Sequence, residues 1–589
     1  MSAFPGFATA MDNHANRTTI PSKPGTMVRK TVGHTHQAAL IEVWTMLKRG
    51  TESGEISRRV DSIVNSATAN TTTRTEIMTL LCRAIVQKRD CRNGGGEKDV
   101  VYHALMALRQ HLPQTTLSLI KILPAYGYYK DLTLLANCCK QDAQLLANIV
   151  TIMATGIRSK NTLACKWAPR EKKAGAWLAE LVRKELSMSK KSYRQHLSKI
   201  MLENATKIPE VLMSSKRFRE IEPSHVPSRC LKIHRRAFID EDKHGMRRHV
   251  EDDDPQLADR EICRKKFEEH LNQGKSVKGA RNFPYEIVRQ ARKGVVSDLE
   301  RKTLNAMWQA IVDEVKQQIQ GQQEKDQGKE TSQGETKTDS KNDEGSHEQR
   351  FDPSKMVPMC DVSGSMTCAG GVPMENSIAL GLLLSEVGHP SFRGRVLTFH
   401  SQPSWVVFDQ GLDFVGRVNV LQQAAWGQST NFEAAMGLIA DVVLEHNLSE
   451  NQVPGIVCFS DMKFNAAMGG NNGYGNTGNA WGTHYERIEA LFQEIGNKIA
   501  GSPYRAPRIC FWDLANSGGG QQPGFPVRAD DKGVQLISGF SPALLKFVMT
   551  GERLETPWCT FLKAVKDKRY DDVERVALEA LEIDPSFVQ

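Results

Sequence analysis

At 589 residues the chain is too long for one hydrophobic core, and ordinary domain sizes call for roughly two to four units. Its composition, 40% hydrophobic and 25% charged, is that of a soluble globular protein, and no apolar run approaches the ~20 residues that span a bilayer. The formal charge of +9 is modest but uneven: residues 151–240 hold 20 Lys and Arg against 8 Asp and Glu, which leaves the remainder slightly acidic.

The opening MSAFPGFATAMDNHANRTT has no basic patch followed by an apolar stretch, so a secretory signal is not expected. Twelve cysteines are scattered without a CxxC pair, which argues against a disulfide framework or a zinc site. Both features point to an intracellular, cytoplasmic protein with no membrane partner.

Residues 1–35, rich in Thr, Asn, Gly and Pro, read as a flexible terminus. From His36 the periodicity becomes helical. Val101, Leu105, Leu108 and Leu112 repeat at 3.6 residues, as do Leu304, Trp308, Ile311 and Val315, and Ser297 with Glu300 has the spacing of a capping box. Residues 36–316 are therefore expected to form an all-α domain, a HEAT-like stack of antiparallel helix pairs. Residues 317–350 contain one aliphatic side chain among Gln, Glu, Lys, Gly and Ser, the composition of a disordered linker or extruded loop.

Beyond the linker, apolar runs at Val357–Cys360, Arg395–Phe399, Gly455–Phe459 and Arg508–Trp512 alternate with helical stretches near 375–388, 431–446 and 484–500. Alternating strands and helices imply a mostly parallel sheet covered on both faces, here over residues 351–555, with 556–589 as a helical tail. The expected class is thus multidomain α + α/β.

Immediately after the run VPMC comes DVSGSM. Asp361, Ser363 and Ser365 alternate along a tight loop at the carboxyl end of a parallel strand, where open α/β sheets bind ligands, and Gly364 permits the turn. Thr430, in GQSTNF, precedes a helix, and Asp461 ends the strand of GIVCFSDMKF. Hydroxyls with two carboxylates suit Mg²⁺, or Mn²⁺ or Ca²⁺, better than a soft metal. So few charged ligands leave a coordination position for an acidic group of a protein partner. The order DxSxS, Thr, Asp resembles the metal-ion-dependent adhesion site (MIDAS) of von Willebrand factor A domains, which implies a Rossmann-like fold for the carboxy-terminal domain.

A nucleophilic serine is not indicated, since GxSxG flanking is absent and His389, His400 and His484 read as surface or turn residues. A two-metal hydrolase would need more carboxylates, so catalysis is the remote alternative to binding. The Gly-rich run Arg92–Lys98 lacks a preceding strand and a GK[ST] ending and reads as a turn between helices. A second Gly/Asn-rich run, Met468–Thr483, follows the Asp461 loop and reads as a mobile recognition loop.

The segments Arg89–Lys98 and Leu123–Leu132 resemble the helical portion of TROVE proteins, the Ro autoantigen family. They are also similar to a viral, fungal and plant family of unknown function that joins such helices to a von Willebrand A-like carboxy terminus. KWAPRE at Lys166–Glu171, SYRQHLSKI at Ser192–Ile200, SDMKF at Ser460–Phe464 and ISGFSPALLKF at Ile537–Phe547 extend that second resemblance. The resemblance to Ro proteins implies a non-enzymatic, ribonucleoprotein-like RNA scaffold, with a protein-assembly module without RNA as the alternative. The basic region supplies candidate phosphate contacts: Lys166, Arg170, Lys172, Lys173, Lys190, Lys191, Arg194, Lys199, Lys216, Arg217, Arg235 and Arg236. Trp167, Trp177, Tyr193 and Phe218 lie among them as candidate stacking surfaces or as core.

Overall fold

The computed structural model describes residues 36–66, 71–171, 174–251, 253–295, 297–332, 355–399, 403–423, 432–461, 480–514, 534–549 and 556–584. Among the described residues as far as 332 helices predominate, including α1 (Thr71–Arg89), α2 (Asp99–His111), α3 (Pro113–Tyr126), α4 (Tyr129–Cys138), α5 (Lys190–Glu203), α6 (Pro284–Arg292) and α7 (Asp298–Ser332). Six strands follow among the described residues: β1 (Met356–Asp361), β2 (Arg395–Phe399), β3 (Ser404–Val407), β4 (Gly455–Ser460), β5 (Ile509–Asp513) and β6 (Val534–Ser538). Helix α8 (Cys368–Val387) lies between β1 and β2, and α9 (Asp571–Leu581) comes last. Among the described residues no helix is long and apolar enough to cross a membrane, and no disulfide joins any of the twelve cysteines.

Two compact units result, and neither is one continuous stretch. The helical unit gathers the described parts of 46–282, 294–310 and 564–589; the α/β unit gathers those of 1–45, 283–293 and 311–563. The division cuts across the block boundaries expected above. Residues 564–584 are part of the helical unit rather than a separate tail, and α6 belongs to the α/β unit. Helix α7 runs to Ser332, into the segment expected to be a linker. Residues 333–350, the amino-terminal 1–35 and most of the Met468–Thr483 run lie outside the described residues.

In the helical unit the expected apolar stripe is the core: Val101, Leu105, Leu108 and Leu112 of α2 and its cap are fully buried, and α1 to α4 pack on one another. Helix α9 closes this packing against α1 and α3 by burying Val573, Ala577, Ala580 and Leu581. The Gly-rich run after α1 is a helix-ending device. The amides of Gly95, Gly96 and Glu97 donate to the carbonyls of Gln87, Asp90 and Lys88, satisfying the terminal acceptors of α1. A Cβ on Gly94 would lie 1.9 Å from the Gln87 carbonyl oxygen, so this fold-back requires glycine there.

The two segments that carry the TROVE-like resemblance meet in this unit around buried charges. Arg89 Nε donates to Asp131 Oδ2 at 2.8 Å, and the Tyr102 hydroxyl donates to Asp131 Oδ1 at 2.8 Å. Asp90 receives Arg569 and the hydroxyl of Tyr570, whose phenol burial, and then the Asp90 charge, hold protonated. A Cβ on Gly127 would fall 2.0 Å from Asp131 Oδ2, so the close approach of these segments also needs a glycine.

The sheet of the α/β unit has the order β3-β2-β1-β4-β5-β6, with β3 antiparallel and the other pairs parallel. This is a doubly wound order whose direction reverses between β1 and β4, the position at which such sheets form a crevice beyond their carboxyl ends. Strands β1, β4, β5 and β6 are buried at every residue, which is why they read as continuous apolar runs. Helix α8 packs on β1, and Gly381 permits the approach: a Cβ there would meet Cys360 Sγ at 2.1 Å.

Candidate metal centre and basic face

Asp361 is the last residue of β1 and Asp461 directly follows β4, so the two carboxylates stand on either side of the point where the strand order reverses. Both are completely buried. The Ser363 amide donates to Asp361 Oδ1 at 2.9 Å, turning the chain, and the Ser363 and Ser365 hydroxyls lie 3.0 Å apart. Ser460 donates its hydroxyl to Asp361 Oδ2 at 2.5 Å. Asp361, Ser363, Ser365 and Asp461 are thus at one edge of the sheet, as expected; Thr430 lies outside the described residues.

The electrostatics of the pair follow from its burial. Desolvation, and then the charge of Asp461, push the Asp361 carboxyl up to about 7, while the bonds from Ser460 and Ser363 pull the other way. Asp361, buried beside the charge of Asp461, stands in an environment that a cation would relieve, and the groups shown bonding it are the Ser460 hydroxyl and the Ser363 amide. Those residues fit a small divalent cation of the Mg²⁺ class.

Sequence reasoning misses two residues at this edge. Ser460 reads there as part of the SDMKF motif, with no role at the site. Asp513 ends β5 opposite Ser460 in the register and is buried. Its signal is present in the chain, since ICFWD repeats the pattern of an apolar strand ending in an acid that marks MCD and FSD. Among the described residues no three His, Cys, Asp or Glu side chains gather into a cluster, so Asp513 does not make a third carboxylate with Asp361 and Asp461.

The basic region of the helical unit separates into two kinds of residue. Lys190, Lys191, Arg194 and Lys199 are exposed on α5, whose opposite side buries Tyr193, Leu197 and Ile200. Lys216 and Arg217 are exposed as well, the latter bidentate to Glu220 with both bonds at 2.5 Å. Arg235 and Arg236 are different: both bond the buried Glu300, with Nε to oxygen distances of 3.0 and 2.9 Å, and they are structural rather than free for phosphate. Burial opposes ionisation of Glu300, but the bonds from Arg236 and Arg235 outweigh it and hold the carboxyl below its usual range. Only half of the expected capping box forms, because the Glu300 amide donates to Ser297 Oγ at 3.0 Å while its carboxylate serves the arginines.

Lys166 is tied to Glu210 at 2.9 Å and Arg170 donates to the Cys165 carbonyl, so neither is a free surface cation. Lys172 and Lys173 lie outside the described residues. Tyr193 and Phe218 are core, and Arg260 covers the Phe218 ring. Trp167 and Trp177 are half-buried, with Lys130 and Lys140 over their respective rings.

Residues 355–586 match a family described as a domain of unknown function, DUF7788. The match begins just before β1 and extends past α9, so it takes in the residues that complete the helical unit. The chain is also similar to "Uncharacterized protein L728" of Acanthamoeba polyphaga mimivirus, at 25% identity over 500 residues, which is 79% of this chain and 75% of that one. No solved structure matches. The chain therefore shares its carboxy-terminal region with the DUF7788 domain, and a stretch long enough to include parts of both units with a viral protein.

Proposed function

We propose that the α/β unit is a von Willebrand A-type domain that holds Mg²⁺, or Mn²⁺ or Ca²⁺, through Asp361, Ser363, Ser365 and Asp461 and presents it to an acidic group of a protein partner. The observation that carries this is the pair of fully buried carboxylates flanking the reversal of strand order, one of them raised by its burial and then by the other's charge. When bound, the cation supplies an electrophilic position; the chain's own part is to fix the donors. Ser460 and the Ser363 amide orient the two oxygens of Asp361, and the Gly364 turn brings Ser365 to the same edge. Holding a partner in this way requires no nucleophile, and the protein is non-enzymatic in this reading.

Calorimetric titration of the full chain with Mg²⁺ and Mn²⁺ is the test. Saturable uptake that disappears in Asp361→Asn supports the proposal, and equal heats from wild type and variant would sink it. Capture of a partner should likewise be lost in EDTA.

The exposed cations of α5 favour a second component, in which the helical unit is a HEAT-like scaffold that binds RNA through phosphate contacts, in line with the resemblance to Ro proteins. Such binding loses affinity steeply between roughly 50 and 200 mM salt. Filter binding at both concentrations, against an equally basic control protein, decides it: affinity no better than the control removes RNA from the proposal. A reducing, cytoplasmic setting accords with twelve cysteines that form no disulfide among the described residues.

A further inference from the structure

We propose that a second site in the α/β unit, a cavity of about 340 Å³ beside the Asp361 loop, binds a phosphate group. One wall comes from α6 and the residue after it, which contribute Arg289, Arg292 and Lys293; the other comes from the start of α8, with Gly370, Gly371 and Glu375. Arg289 and Arg292 are three residues apart on one helix, so their guanidinium groups lie on the same face.

Three cations and one carboxylate line the cavity, and although Glu286 also acts on Arg289 from the same helix, the lining is net positive and suits a phosphate anion. Glu375 is buried and accepts from Arg289 at 2.6 Å, with Arg292 at 3.8 Å, so it orients the guanidinium groups without neutralising the cavity. The Arg289 and Arg292 side chains remain 34% and 25% exposed, and Lys293 is exposed, so all three are within reach of a ligand. A planar guanidinium offers paired N–H donors that fit phosphate oxygens.

The glycine wall is open. Gly370 and Gly371 have φ of +70° and +78°, and a Cβ on either would meet nothing within 4 Å. Backbone without side chains thus lines the cavity near the start of α8, in a left-handed conformation that glycine adopts readily. The volume is at the small end of ligand sites, suited to a phosphate with a small attachment. None of this uses the metal reading, and the test is made in EDTA so that the two stand or fall separately.

Calorimetric titration of the full chain with inorganic phosphate in low-salt EDTA buffer should give saturable binding at one site. Lys293→Glu, a change at an exposed position, should weaken it by about tenfold with an unchanged thermal melt, and Arg292→Gln should weaken it in the same direction. Parallel titrations with AMP and with a short oligoribonucleotide bearing either a 5′-phosphate or a 5′-hydroxyl identify the source. Tighter binding of the 5′-phosphorylated strand alone marks an RNA end, and binding of phosphate and AMP without it marks a free metabolite. Absence of saturable uptake of every phosphate probe, or equal affinity of wild type and Lys293→Glu, would overturn the proposal.

Discussion

In the helical unit the buried carboxylates described above meet cations: Asp131 has Arg89, Asp90 has Arg569, and Glu300 has Arg235 and Arg236. At the sheet edge of the α/β unit Asp361 is equally buried, but it meets a hydroxyl, an amide and the charge of a second carboxylate. Burial has opposite consequences in the two places. Paired charges hold helices together, whereas at the sheet edge burial and the neighbouring Asp461 charge make Asp361 costly to ionise.

The sharpest way to break this contrast is to remove a carboxylate from each side. Asp131→Ala strands Arg89, Tyr102 and the Tyr128 amide in the core, and should cost about 3–5 kcal/mol of stability in urea unfolding. Gly127→Ala should fall in the same direction, since its methyl group meets Asp131 and Arg89. A loss below about 1 kcal/mol for Asp131→Ala would mean the network is ornamental.

Asp361→Asn should do the reverse. Its folded value of about 7 lies above the unfolded one, so the metal-free native state holds the extra proton, and stability declines as pH rises from about 4 to about 7. By about pH 8 the accumulated cost is on the order of 4 kcal/mol, which the variant should recover in EDTA. Thermal melts across that range test the sign. A variant less stable than wild type at every pH contradicts it. Glu300 supplies the opposite trend: its carboxyl is held low, so its contribution is present above the ordinary glutamate range and is lost only as pH falls below it.

A smaller effect sharpens the division of the basic region. Replacing Lys190, Lys191, Arg194 and Lys199 by Gln should lower the salt dependence of RNA binding by about one unit of slope for each phosphate that the chain no longer neutralises, with little change in stability. Arg217→Ala should be smaller still, within about 0.5 kcal/mol in unfolding, because its pair with Glu220 is exposed.

How much of the molecule is legible in its sequence follows from how local each signal is. The stripe of Val101, Leu105, Leu108 and Leu112 carries its own period, and the strand ending in Asp361 announces itself by an apolar run that stops at an acid. Arg235 and Arg236 read as surface cations because their partner, Glu300, is some 64 residues away. The start of the Gln-rich segment has the composition of a linker and yet is helical. Gln, Glu and Lys are good helix formers, the Gln318 side-chain amide donates to Glu314 at 3.0 Å, and Val315 and Ile319 are buried on the same stretch of α7. The placement of α6 in the α/β unit has no local signature at all, because packing partners distant in sequence decide it.

The completion of the helical unit by residues 564–584 has a bearing on biosynthesis. As the chain leaves the ribosome, Asp90 emerges long before Arg569 and Tyr570, and α1 and α3 before the helix that covers them. The helical unit therefore cannot reach its native packing until residues 564–584 have emerged. Contacts of such high order slow folding and prolong the time spent with apolar surface open, so this protein should depend on chaperones during synthesis and should not tolerate nonsense truncation even far downstream of the first unit.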